Sequence, residues 1–160
     1  MERYVHYSDS PLVKIKSRRQ SRVRFDKPVG LWLSVVDERG DGWRDWCGWE
    51  NFRTFDENTF ATEIELDLSV LRVIRTVAEI DAFDGDFGES YAGIAGILWP
   101  AVAQFYSGVL ISPHLWQRRS DGRASSWYHD WDCASACIWD ASAARIITLD
   151  ARRKCSIVQA

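Results

Sequence analysis

The sequence predicts an α+β fold: a mainly antiparallel, split β-sheet with a few short helices, in a single domain over residues 1–160. Three observations lead there. Extended segments outnumber helical ones, no strand–helix–strand alternation is sustained, and 160 residues with 46% hydrophobic content supply one core but not two.

Tyr4 to Ser8 alternates and carries aromatic and β-branched residues, so it reads as a first strand ended by Ser8, Asp9, Ser10 and Pro11. A basic stretch follows as an exposed, mostly extended loop held at its ends. Val29 to Val36 is almost continuously apolar, which predicts a central strand buried on both faces. After a turn at Asp37 to Gly42, Trp43, Trp46 and Cys47 recur at helical spacing in a short helix running to Phe52. Thr62 to Asp67 alternates strictly, as in a half-exposed strand, and Leu71 to Ile74 forms another. Thr76 and Glu79 make a capping box for a helix ending near Phe83, and the acidic, Gly-containing stretch from Asp84 to Glu89 reads as a flexible connector. Trp99 to Tyr106 is a helix with Pro100 in its first turn, and Gly108 to Pro113 a strand. A polar loop from Gln117 to Ser126 then leads to closing strands at Ala136 to Asp140 and Arg145 to Leu149.

The net charge is −3, yet seven basic residues between Lys14 and Lys27 face only Asp26, so that segment carries +6 and the remainder −9. Such a balance disfavours general nucleic-acid binding but lets one basic loop grip a phosphate or an acidic partner. The four cysteines, Cys47, Cys133, Cys137 and Cys155, do not form the spacing of a disulfide framework. Cys133 and Cys137 with His129 meet zinc-ligand spacing only loosely, so no metal is expected. The longest apolar stretch, Ile94 to Tyr106, is interrupted and too short to span a bilayer. The first residues lack a signal-peptide layout, and a cytoplasmic location with reduced thiols is expected.

Three segments, in this order, resemble the ADP-ribosyltransferase fold of bacterial mono-ADP-ribosyltransferase toxins and poly-ADP-ribose polymerases. Val5, His6, Tyr7 and Ser8 resemble the opening strand, where a histidine and a following hydroxyl residue meet the nicotinamide ribose and amide. Gly30 to Ser34 is similar to the strand whose aromatic ring, here Trp32, flanks the nicotinamide. Ala136 to Ser142, followed by Ile146 to Leu149, resembles the closing strands. The family's catalytic glutamate falls near Ser135 and Ala136, neither acidic, and Asp132 is the candidate to replace it from the preceding loop.

The resemblance implies NAD as cofactor and a mono-ADP-ribosyltransferase acting on a macromolecular acceptor, expected to be protein rather than nucleic acid, as in a toxin or a phage-encoded factor. Asp132 and His6 would be catalytic, the carboxylate stabilising the charge that develops as the nicotinamide–ribose bond breaks. His6, Tyr7, Ser8, Trp32, Ser34, Trp43 and Trp46 would hold the nicotinamide half, and Arg18, from an arginine-rich loop, the pyrophosphate. An inert module of the same fold, gripping a nucleotide or protein partner, is the alternative that the missing glutamate suggests. Outside the resemblance, His129 beside Asp130 and Asp132 offers acid–base chemistry, and Cys133 or Cys137 with His129 or His114 a nucleophilic pair, although no local signature accompanies either.

Overall fold

A computed structural model describes residues 1–21, 26–91, 94–120 and 126–147. Strands β1 (Arg3–Ser8), β2 (Leu31–Val36), β3 (Phe60–Leu66), β4 (Arg72–Ile74), β7 (Gly108–Ile111), β8 (Ser135–Ile138) and β9 (Ala144–Ile146) form one seven-stranded sheet in the order β4-β7-β8-β2-β1-β3-β9. Strands β5 (Gly88–Tyr91) and β6 (Ile94–Ile97) form a separate antiparallel pair. Helices α1 (Trp43–Trp49), α2 (Val77–Phe87), α3 (Trp99–Val102), α4 (Trp116–Ser120) and α5 (Ser126–His129) complete the α+β arrangement.

The sheet is mixed rather than purely antiparallel, because β4 joins β7 in parallel at the edge while the other pairings are antiparallel. Nor is it two sheets, since the ladder is continuous from β4 to β9. A partial split nevertheless exists at its centre. Strands β1 and β2 pair only from Arg3↔Val36 to Val5↔Ser34. Beyond that point β1 stays with β3 as far as Ser8↔Phe60, and β2 stays with β8 as far as Leu31↔Ile138. The two halves fork at His6.

Alternation along the strands sorts the core into two layers. Val109, Ile111 and Cys137 face a layer built with α2, α3 and α5, in which Phe83, Trp99, Trp127, Tyr128 and Trp131 are essentially inaccessible. Leu33, Val35, Leu110, Ala136 and Ile138 face the other layer, where Leu12 and Ile15 of the basic segment pack. β2 is the middle strand, as its apolar run predicts.

Three connections depart from the sequence reading. The Asp84 to Glu89 stretch is not a connector: α2 continues to Phe87 because Phe87 packs at a tilt against Phe83 one turn back, 5.3 Å between ring centres, which offsets the helix cost of Gly85. The start of the expected Gln117 to Ser126 loop is helical, as α4, anchored by the Arg118–Asp81 ion pair. Helix α5 begins at Ser126 with the buried Trp127 and Tyr128, and residues 121–125 lie outside the described residues. The basic segment is exposed, as expected, but among its described residues it is also pinned between Ser17 and Gln20. Ser17 Oγ accepts from Ala141 N, Arg18 N donates to Trp139 O, and the Gln20 amide exchanges two hydrogen bonds with Val29. Arg22, Arg24 and the expected strand residues Thr148 and Leu149 lie outside the described residues, as does Cys155.

At the other end of β1, Glu2 is gripped by Arg75, Ser112, Arg39 and Tyr4. Burial alone would raise its carboxyl pKa, but these donors outweigh it and hold the value at about 2. A carboxylate held below its unfolded value stabilises the fold above the ordinary carboxylate range and loses that contribution as pH falls toward 2. Glu2→Gln should therefore cost about 2 kcal/mol at pH 7. The difference from the parent should close as pH drops from 4.5 toward 2, measured by urea unfolding at each pH. A pH-independent difference would show that the charge is not what stabilises.

Candidate functional site at the sheet fork

Where β1 and β2 part, a half-open cavity of about 310 Å³ is lined by Val5, His6, Tyr7, Lys27, Trp32, Leu33, Ser34, Trp43, Trp131, Asp132, Cys133 and Ser135. Its position follows from the ladder. Trp32 O has lost a partner across the fork and instead accepts from His6 Nδ1 at 2.8 Å. Because a carbonyl only accepts, Nδ1 carries the hydrogen, which in the neutral tautomer leaves the lone pair on Nε2.

The aromatic wall is layered. Trp32 packs on the buried Trp131 with 4.8 Å between ring centres, and Trp43 stacks nearly parallel on Trp46, 5.0 Å away and 16° inclined. Trp43 faces the cavity; Trp46 backs it. Ser34 is a cavity residue whose hydroxyl is committed to the wall: it accepts from Trp43 N at 2.8 Å and donates to Val35 O, fixing the start of α1 against β2. Gly42 makes that approach possible, since a Cβ there would lie 2.0 Å from Val35 O.

Asp132 closes the opposite side. Its Oδ2 lies 3.4 Å from Lys27 Nζ and its Oδ1 accepts from Arg119 at 3.1 Å, so two cations flank one half-buried carboxylate. Arg119 also donates to His129 O, which ties α4 and α5 to the cavity edge. Ser135, at the position where the resemblance places a glutamate, lines the cavity with its hydroxyl turned to Cys133 O.

His6, Tyr7, Trp32, Ser34, Trp43 and Asp132 are thus brought together, from four separate stretches of sequence. Three residues are not. Ser8 donates to Ser10 O and lies outside the lining, because β1 has already turned away with β3. Trp46 contributes only through Trp43. Arg18 lines a second groove with Trp139 and Tyr106, since its own N–H is spent on Trp139 O. The cation at the cavity is Lys27 instead. Lys27, Trp131, Cys133 and Ser135 were not singled out for the site by sequence; adjacency to Asp132 was the one available signal for Trp131 and Cys133.

His129 and Asp130, the other members of the acid–base candidate set, are exposed at the end of α5 and outside the cavity lining, which takes in only Asp132. Burial pushes the Cys133 thiol up to about 12 and raises that of Cys137, so both stay protonated at neutral pH and neither is a ready nucleophile. Burial likewise lowers the pKa of His114, whose Nε2 hydrogen bonds to Trp131 O. Among the described residues no group of three potential ligands is placed to hold a metal, and no helix is long and apolar enough to cross a membrane.

No family model, curated protein or solved structure matches this chain.

Proposed function

We propose that the fork cavity receives the nicotinamide–ribose end of NAD and that the protein is a mono-ADP-ribosyltransferase acting on a protein acceptor. The convergence of His6, Trp32 and Asp132 on one cavity carries this reading. At about 310 Å³ the space is at the small end of ligand pockets, suited to one ring and its sugar rather than a whole dinucleotide.

Each wall has a role in that reading. Trp32 and Trp43 offer flat apolar faces to the ring. His6 Nε2 accepts a ribose hydroxyl while Nδ1 keeps the imidazole fixed on Trp32 O. Lys27, loosely paired at 3.4 Å, turns toward the adjacent phosphate. Asp132 opposes the positive charge that develops at the ribose.

A second reading, an inert binding module of the same cavity, is favoured by two observations. Ser135 stands where a glutamate is wanted, and the Asp132 charge is already balanced by Lys27 and Arg119.

Calorimetric titration with NAD separates these readings from no function at this site. The parent should bind, and Trp32→Ala should weaken binding by about tenfold through lost ring contact. Labelled ADP-ribose appearing on lysate protein then selects the transferase; binding without transfer selects the module. No NAD binding by a folded parent sinks both.

A further inference from the structure

The groove that captures Arg18 is larger than the fork cavity, about 810 Å³, and open to solvent. One rim is Ser17 to Gln20 of the basic segment; the other is the turn from Pro100 to Ser107 after α3, with Trp139 and Asp140 between them. Its charges are unbalanced. Arg18 and Arg19 are exposed side by side on the rim, and neither lies within 4 Å of a carboxylate among the described residues. Asp140, held by the Ser142 N–H and hydroxyl, makes no ion pair with either arginine and offsets one of their two charges, so the groove stays net positive. Beside the arginines stands Phe105, 71% exposed, with Tyr106 next to it.

A large exposed aromatic next to two unpaired guanidiniums, on a protein of net charge −3, is a recognition surface for a short acidic segment with an apolar residue. A nucleic acid fits less well, because outside the basic segment the chain carries −9 and would repel a long phosphate backbone.

The sheet relates this groove to the fork cavity. Ser135, Cys137 and Trp139 alternate onto the same side of β8; Ser135 lines the cavity and Trp139 the groove. Four residues of extended strand separate them by about 13 Å. Cys137 between them is buried, so the two openings are neighbours along the chain without an exposed strand face joining them. Gln20 of the groove rim hydrogen bonds to Val29, two residues beyond the cavity residue Lys27.

We infer that the groove formed by Arg18, Arg19, Phe105 and Tyr106 docks an acidic, aromatic-containing segment of a partner protein. Its further role as the acceptor dock rests on the transferase reading above.

The test uses the full chain without NAD and a fluorescein-labelled peptide of alternating Glu and Tyr, followed by fluorescence anisotropy. Saturable binding should weaken about tenfold or more in R18E/R19E, and separately in Phe105→Ser, with circular dichroism unchanged because all three side chains are exposed. Binding should fall with added salt and persist in Trp32→Ala, which alters the fork cavity alone. A Lys-for-Glu version of the peptide should not bind. The inference is overturned if the acidic peptide fails to bind, if both groove variants bind it as the parent does, or if an oligo-dT strand occupies the groove more tightly than the peptide. Because NAD is absent, loss of the transferase reading would leave this result standing, and failure here would leave the NAD titration untouched.

Discussion

Replacing Asp132 by Asn should lower ADP-ribose transfer by about a hundredfold or more while NAD affinity moves only a few-fold. The reason is the difference between ground and transition states: a carboxylate facing a charge that exists only as the bond breaks contributes little to binding beforehand. Asn preserves size and one acceptor, so the Lys27 and Arg119 side chains keep a partner and the fold should survive. The measurement is single-turnover transfer of labelled ADP-ribose at saturating NAD, alongside a calorimetric Kd. A variant as active as the parent would remove Asp132 from the chemistry. Of the other carboxylates considered, Glu65 is engaged by Arg145 at the β3–β9 edge and Asp140 caps a turn. Glu63 would be the one to replace next, because it sits across from the cavity residue Val5 in the β1–β3 register.

How much of this was legible in the sequence depends on the range of the forces involved. Local signals read well. The Thr76–Glu79 capping box exists with both of its hydrogen bonds, and the apolar run of Leu31 to Val36 is the middle strand of the sheet. Site residues lying on those strands, His6 and Trp32, followed from them. Signals that depend on tertiary contact did not read. Phe87 extends α2 because it packs against Phe83 and Tyr106, and no pattern within Asp84 to Glu89 announces that. Lys27 reaches Asp132 across 105 positions of sequence, so its place at the cavity was invisible beforehand. The basic segment misled for the same reason. Charge implied a free loop, whereas Leu12 and Ile15 pack below it and Gln20 pins it to Val29, sending Arg18 to the second groove.

The largest stability effect should come from a single methyl group at Gly42, with Gly48 as its control in the same short helix region. At Gly42 an added Cβ would stand 2.0 Å from Val35 O and 2.7 Å from Ser34 Oγ. The first obstacle is backbone of the central strand and cannot swing aside. The second is the hydroxyl that holds Trp43 N, so relieving the clash means pulling the start of α1 away from β2. Gly42→Ala should cost about 3 kcal/mol, lowering Tm by roughly 10 °C, and should also shift Trp43 and weaken any ligand of the cavity. At Gly48, inside α1 and exposed, a Cβ would meet nothing within 4 Å. There Ala removes backbone freedom from the unfolded chain and should raise stability by about 0.5–1 kcal/mol. The two variants differ by one residue type in one element, so opposite signs in urea unfolding would isolate close packing of α1 on β2 as the cause. If both substitutions stabilised, the Gly42 approach to Val35 would be looser than described, and the aromatic wall built on it would have to be held by Ser34 alone.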